Sequence, residues 1–246
     1  RILRKTKDFY VFGMHFGFYT TDVDDIPFID FFMSSPHTLE LSCNATTPLV
    51  SLCSRDFIPE FFTLNSQQPK NWDILCIANT NKRKCLDEFM HSLNTLLKKR
   101  PDTTILLITY APDRPRPKQK YDLKLREIYD STFTEKEKNQ FDFMYLRTLK
   151  SSFPITHRSM PYFFNASRIF TLFSYKEGHA RVITEALLCG LPVVLKKHLK
   201  GGTKDYVNER NGRLFSTSEE ATEHFIDLLD TAKMPMEEQA EIVAQQ

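Results

Sequence analysis

The chain of 246 residues predicts a doubly wound α/β domain, and three observations carry that prediction. Short apolar runs, typical of strands buried on both faces of a parallel sheet, begin at Trp72. Stretches with the apolar spacing of helices alternate with them. The composition, 41% hydrophobic and 26% charged, is that of a globular protein and excludes disordered, collagen-like and low-complexity chains.

Five candidate strands follow one another along the chain. They are WDILCIAN (72–79), TILLITY (104–110), FDFMYL (141–146), RIFTLF (168–173) and LPVVL (191–195). Apolar residues at helical spacing follow the first strand as far as Pro101. Further helices are expected before the third strand, around residues 159–166, over TEALLC and after Ser216.

The first 65 residues differ from the rest in composition. Ten of the 21 phenylalanines lie in the first 62 residues, which indicates a core with an interdomain face, or alternatively an aromatic binding platform. The polar stretch NSQQPKN (65–71) is typical of a linker. We therefore predict a partial N-terminal segment over residues 1–65 and a Rossmann-like domain over residues 66–246. Because residue 1 is arginine, we expect a fragment of a longer protein.

Charge and cysteine content limit the partners. The net charge of +2 is too small to draw the whole molecule to nucleic acid. Five cysteines without a CxxC pair indicate neither a disulfide framework nor a zinc site, so a reducing, cytoplasmic location is expected. No apolar run approaches the ~18–20 residues that span a bilayer, so at most peripheral membrane contact is expected.

Glycine is concentrated in one place. Five of the seven glycines fall between Gly178 and Gly212, which predicts close backbone approach there. The loop Glu177-Gly178-His179 leads from a strand into a helix, whose free backbone N–H groups would form an anion site at the carboxyl edge of the sheet.

Charged residues surround that edge. Glu177 and Glu185 would lie ~12 Å apart if the run were helical throughout, a span that suits a nucleotide sugar. A solvated helix face is the alternative interpretation. Lys82, Arg83 and Lys84 follow the first strand, where cations would stabilise a leaving pyrophosphate, unless they are an ordinary basic helix start. Lysines around Gly201-Gly202 suggest a second anion cradle, or only a solvated charge run.

The segment from Glu177 to Phe215 resembles a known signature. It is similar to the C-terminal domain of retaining glycosyltransferases of family 4, the glycosyl transferase group 1 enzymes with the GT-B fold. The matching pieces are Glu177-Gly178, Glu185-Ala186, CGLPVV (189–194), Gly201-Gly202 and NGRL (211–214). The resemblance implies a GT-B-type donor-binding domain preceded by the tail of an N-terminal acceptor domain.

The resemblance also implies roles for particular residues. Glu185 would hold the nucleotide ribose, and Gly201-Gly202 would lie beside the donor. Glu177 and the amides after Gly178, on His179 and Ala180, would contact the donor sugar.

A third implied role falls on Lys84, which matches a family lysine. The sequence departs from the family beside it, because Cys85 replaces a glycine and Asn79 stands in place of an arginine. Pyrophosphate binding would then fall to Lys82 or Arg83, or be weaker. His15 would be either a remnant of an N-domain histidine or a structural residue.

Together these features predict a retaining glycosyltransferase that uses a UDP- or GDP-linked donor. Lys84 and Glu177 would be its catalytic residues, and the acceptor, a sugar, a lipid-linked glycan or a protein, stays open. No metal or separate cofactor is expected, since no DxD motif or histidine cluster occurs and Asp22, Asp24 and Asp25 fit a helix start or turn. The alternative is a non-catalytic module that binds nucleotide sugars or acts as a scaffold.

Overall fold

The computed structural model describes residues 10–14, 29–34, 48–51, 56–112, 120–148, 154–178, 180–200, 204 and 206–231. Three short strands come first and pair in parallel in the order β1-β2-β3: β1 (Phe12–Met14), β2 (Phe31–Ser34) and β3 (Leu49–Ser51). These three strands were not predicted from the sequence. His15, Asp22, Asp24 and Asp25 lie outside the described residues.

The main sheet has six parallel strands. They are β4 (Trp72–Asn79), β5 (Ile105–Pro112), β6 (Phe141–Thr148), β7 (Ser167–Leu172), β8 (Val193–Lys196) and β9 (Gly212–Phe215). Their order across the sheet is β6-β5-β4-β7-β8-β9. This is the doubly wound arrangement that the sequence predicts.

Within the described residues, five helices lie where the sequence predicts them, and a sixth, the four-residue α3 (Glu135–Lys138), was not predicted. They are α1 (Leu86–Lys99), α2 (Lys120–Thr132), α3 (Glu135–Lys138), α4 (Met160–Asn165), α5 (Arg181–Leu188) and α6 (Ser218–Thr231), with 3₁₀ turns at Lys82–Lys84 and His157–Ser159. The apolar side chains of α1 are buried as a stripe, including Leu86, Phe89 and Leu93. Within the described ranges, no helix combines the length and apolar character that crossing a membrane requires.

The strand order places two loops side by side. From β4 the chain adds β5 and β6 on one side and then returns to add β7, β8 and β9 on the other. The loops that leave β4 and β7 therefore meet at the carboxyl edge of the sheet, at the position where ligands bind in doubly wound folds. The described residues of these loops are 80–85, 173–178 and 180.

Strand β9 was not predicted, and the Asn-Gly pair of the family signature explains how it forms. A Cβ on Gly212 would meet the carbonyl oxygen of Val193 in the neighbouring β8. Asn211 is fully buried, and its Nδ2 donates to the carbonyl of Tyr206 (2.8 Å) while its Oδ1 accepts from the N–H of Asn208 (2.8 Å). Asn211 and Gly212 therefore have a structural role in forming β9. Gly190 also has a structural role, because it follows the end of α5 with φ 76°, a left-handed conformation that favours glycine.

The predicted linker is held against the domain. The N–H of Asn65 donates to Oδ1 of Asn165 (2.7 Å), and Nζ of Lys70 donates to the carbonyls of Asn165 (2.8 Å) and Ser167 (2.9 Å). Burial lowers the pKa of Lys70 to about 8. These contacts lie where β4 and β7 begin, at the opposite edge of the sheet from the two loops. The domain boundary at residues 65 and 66 stays a prediction.

Candidate functional site

Backbone hydrogen bonds join three loops at the carboxyl edge. The N–H of Tyr175 donates to the carbonyl of Arg83 (3.1 Å), and the N–H of Lys200 donates to the carbonyl of Tyr175 (3.0 Å). The N–H of Glu177 donates in turn to the carbonyl of Lys200 (2.9 Å). The loops after β4, β7 and β8 are thereby fixed relative to one another.

Lys84 and Glu177 meet at the centre of this edge. The Nζ of Lys84 lies 2.5 Å from Oε1 of Glu177, although the two residues are 93 positions apart in sequence. Their side chains are 18% and 8% exposed, so the ion pair is largely removed from water. The two predicted catalytic residues thus lie in direct contact, an arrangement that the sequence does not reveal.

Glu185 has two nitrogen-bearing neighbours. It lies in α5 and is buried, and its Oε1 is 2.9 Å from Nε2 of His157 and 3.9 Å from Nε of Arg181. Because a carboxylate only accepts hydrogen bonds, Nε2 of His157 is the donor. His157 was not predicted as a site residue, because it precedes Glu185 by 28 positions and belongs to no motif.

The start of α5 does not match a helix that runs continuously from Glu177 to Glu185. The helix begins at Arg181 with Ala180 as its N-cap, so the run from Glu177 to Glu185 is not helical throughout and the ~12 Å estimate does not apply. No side chain caps the helix within the described part of the chain. Gly178 is buried beside this start, whereas His179, Gly201 and Gly202 lie outside the described residues.

Buried polar atoms without partners lie close to the carboxylates in sequence. Within the described residues, the hydroxyls of Ser174 and Thr184 and Nε of Arg181 have no hydrogen-bond partner. Ser174 directly precedes the loop that carries Glu177, and Thr184 precedes Glu185 in α5. Since buried polar groups are normally satisfied, these three are candidates to bind a polar ligand. No sequence motif marks these three residues, although Ser174 lies in the loop after β7.

The remaining predicted cations differ in their surroundings. Lys82 and Arg83 are exposed in the 3₁₀ turn after β4. Lys196, at the end of β8, pairs with Glu88 of α1 at 2.6 Å. Asn79 accepts a hydrogen bond from the N–H of Asn81 (3.1 Å) and so shapes the turn that carries Lys82.

Cys85, where the resemblance implies a glycine, has a left-handed backbone conformation. It has φ 49°, the one positive value for a non-glycine residue in the described part of the chain. This conformation lets the backbone pass from the 3₁₀ turn into α1 immediately after Lys84. The left-handed conformation costs an L-residue roughly 1–2 kcal/mol, whereas glycine adopts it without this cost.

We expect Cys85→Gly to be tolerated and Cys85→Val to be destabilising. Glycine relieves the strain and loses only a small buried side chain, so the free energy of unfolding should change by less than about 1 kcal/mol. A β-branched residue at positive φ should cost about 2 kcal/mol more. Chemical denaturation of both variants tests this, and equal stability would show that the left-handed backbone is not retained.

Three described cysteines are free and buried: Cys76, Cys85 and Cys189. Burial raises the pKa of Cys76 and of Cys189 to about 12, so neither thiol is a nucleophile at neutral pH. Among the residues that the structure describes, no group of three or more histidine, cysteine, aspartate or glutamate side chains could hold a metal ion.

Comparison with known proteins agrees with the fold of this domain. The sequence profile of the family described as "Glycosyl transferases group 1" matches residues 71–231, about two thirds of the chain. The C-terminal domain of a glycosyl transferase group 1 family protein (LpcC) from Francisella tularensis is 20% identical, with 76% of this chain and 96% of that chain covered at a TM-score of 0.56. None of the curated protein sequences gives a significant match.

Two longer solved structures share the fold. Anabaena Alr3699/HepE in complex with UDP is 16% identical with a TM-score of 0.67, covering 88% of this chain and 58% of that chain. The pneumococcal O-GlcNAc transferase GtfA, in complex with UDP and GlcNAc, is 14% identical with a TM-score of 0.64, covering 88% and 42%. The chain thus spans about half the length of these two proteins. Its six-stranded parallel sheet is that of a GT-B C-terminal domain, and the chain belongs to the glycosyl transferases group 1 family.

Proposed function

We propose that this chain is the donor-binding part of a retaining glycosyltransferase that moves a sugar from a UDP- or GDP-linked donor to an acceptor. The observation that carries the proposal is the buried Lys84–Glu177 ion pair where the loops after β4 and β7 meet. Doubly wound folds bind their ligands at this position, and the pair lies inside the region that matches the family.

Lys84 stabilises the departing diphosphate in this proposal. An ammonium group has three donors, so Lys84 can keep its hydrogen bond to Glu177 while it binds phosphate oxygens. Negative charge on the diphosphate grows as the glycosidic bond breaks, and a cation fixed by an ion pair favours that state without reorganising. Lys82, Arg83 and the amides of Ala180 and Arg181 add positive potential around it.

The two buried glutamates bind hydroxyl groups, because like charge makes them poor ligands for phosphate. Glu185 accepts from the ribose, and Glu177 accepts from the transferred sugar. Gly178 lets the donor approach the backbone, and His179, Gly201 and Gly202 are proposed as further donor contacts. In a retaining reaction the acceptor attacks the face from which the diphosphate leaves.

A second candidate is a module that binds nucleotide sugars without turning them over. Asn79 favours it, because this side chain replaces a family arginine and is engaged in the turn. Titration calorimetry with UDP and GDP, combined with a donor hydrolysis assay on the complete protein, separates the two. Binding with hydrolysis supports the transferase, binding without hydrolysis or transfer supports the module, and absence of binding contradicts both.

We expect nucleotide binding to be independent of divalent metal. Lys84 and the neighbouring cations supply the charge that Mg²⁺ provides elsewhere, so the Kd for the nucleotide should change by less than about twofold in excess EDTA. Added salt should weaken binding, because it screens attraction between cations and phosphate. Calorimetry in EDTA, and then in Mn²⁺, checks this. If chelation abolishes binding and Mn²⁺ restores it, Asp22, Asp24 and Asp25 become the first residues to substitute.

The acceptor is proposed only as a class. A sugar, a lipid-linked glycan or a protein would enter from the side of the N-terminal segment, and neither nucleic acid nor more than peripheral membrane contact is part of the proposal. The free thiols of Cys76, Cys85 and Cys189 fit a reducing compartment, and we propose the cytoplasm.

A further inference from the structure

We infer that His157 is a positioning residue, which holds the carboxylate of Glu185 in the orientation that binds the ribose. Its Nε2 lies 2.9 Å from Oε1 of Glu185. The inference rests on the proposed function, because it concerns the same nucleotide site, and it adds a residue outside the family signature described above.

The ring of His157 is itself held by aromatic packing. Its centroid lies 4.8 Å from that of Phe62 and 5.6 Å from that of Phe61, which it meets edge to face. A hydrogen bond between the hydroxyls of Thr156 and Ser159 (2.7 Å) closes the turn that carries it. An imidazole fixed in this way can orient a carboxylate more precisely than a mobile side chain can.

The hydrogen bond leaves part of the carboxylate for a ligand. His157 engages Oε1, and no described contact engages Oε2. A carboxylate oxygen accepts more than one hydrogen bond, so Oε2 and the remaining capacity of Oε1 are free to accept from two vicinal hydroxyls. Without His157 the carboxylate could rotate, and the nucleotide would have to order it on binding.

Among the described residues, Arg181 is a second charged side chain that faces Glu185, and it cannot replace His157. Its Nε lies 3.9 Å from Oε1, beyond hydrogen-bond distance, and its terminal nitrogen donates to the carbonyl of Phe57 (3.3 Å). Arg158, next to His157, packs over the ring of Phe61 at 5.7 Å and makes no recorded contact with Glu185. Arg158→Ala is therefore a matched control in the same turn.

The test uses the complete protein and whichever of UDP and GDP binds it, together with the 2′,3′-dideoxy form of that nucleotide. The variants are His157→Ala, His157→Gln, Arg158→Ala and Glu185→Gln. Glutamine can place an N–H near the position of Nε2, so His157→Gln should keep most of the affinity. We expect His157→Ala to weaken binding of the parent nucleotide about 5- to 20-fold. Its affinity for the dideoxy form should equal that of the wild type, and Arg158→Ala should bind both normally.

The remaining outcomes separate a positioning role of His157 from a structural role and from a wrong ribose assignment. Unchanged parent-nucleotide affinity in His157→Ala overturns the inference, as does an equal loss for the parent and dideoxy forms, which a general structural role would produce. Failure of His157→Gln to rescue also overturns it. If Glu185→Gln itself binds the parent nucleotide normally, the ribose role in the proposed function fails instead. A lowered melting temperature with normal affinity assigns His157 a structural role only.

Discussion

Lys84→Ala should lower kcat by roughly 10²- to 10³-fold, and by more than it raises KM. The physical reason is that a fixed cation gains more from the charge that develops on the leaving diphosphate than from the ground-state donor. The ion pair with Glu177 supports this, since it holds Nζ at a defined place without consuming its other donors. Steady-state kinetics with the complete enzyme measures both parameters.

Loss of stability must be separated from loss of catalysis in that variant. Removing Lys84 leaves the largely buried Glu177 without its partner, which destabilises the fold. The double variant Lys84→Ala with Glu177→Gln removes the uncompensated charge, so it should recover much of the melting temperature while kcat stays low.

Lys99→Ala supplies the matched control for Lys84. Lys99 also pairs with a glutamate, Glu223, but at the far end of α1, about 20 Å away by the helical rise. Its kinetics should be those of the wild type. An effect of Lys84→Ala on KM alone would move the diphosphate role to Lys82 or Arg83.

Glu185→Ala should weaken nucleotide binding about 10- to 150-fold, because lost hydrogen bonds to a charged group cost about 1.5–3 kcal/mol. The melting temperature should change little, because the side chains of His157 and Arg181 are 41% and 39% exposed, so water can hydrogen-bond to the nitrogens that Glu185 leaves free. Calorimetry gives the affinity and thermal unfolding the stability.

The matched control for Glu185 is Glu223→Ala, an exposed carboxylate on α6 that should bind nucleotide normally. Unaltered nucleotide affinity in Glu185→Ala would remove the ribose assignment. A large fall in melting temperature would instead show that the carboxylate is mainly a structural partner of His157.

Long strands were predictable because their central residues form continuous apolar runs. The run from Trp72 to Asn79 coincides with β4, and its five central residues, Ile74 to Ala78, are all apolar and buried, as in a strand covered on both faces. Strand β9 was missed because its four residues follow polar loop residues, and its pairing with β8 depends on close approach at Gly212. Strands β1 to β3, with three or four residues each, carry too little periodicity to recognise.

The candidate site was predictable where it lies in one segment. Glu177 and Glu185 follow a strand and carry the family signature, so their neighbourhood could be inferred from the chain alone. The contact between Lys84 and Glu177 depends on which strands are adjacent, and the contact between His157 and Glu185 depends on packing against Phe61 and Phe62. Neither arrangement leaves a local pattern, because both join residues that are 28 or more positions apart.

The position of the bound nucleotide tests the central claim most directly. Crystals of this chain soaked with UDP-linked and GDP-linked sugars should show one nucleotide at the carboxyl edge of β4 and β7. Its diphosphate should lie within hydrogen-bond distance of Lys84 and its ribose hydroxyls within that distance of Glu185. A nucleotide bound elsewhere, or one at this edge with its ribose away from Glu185, would contradict the assignment.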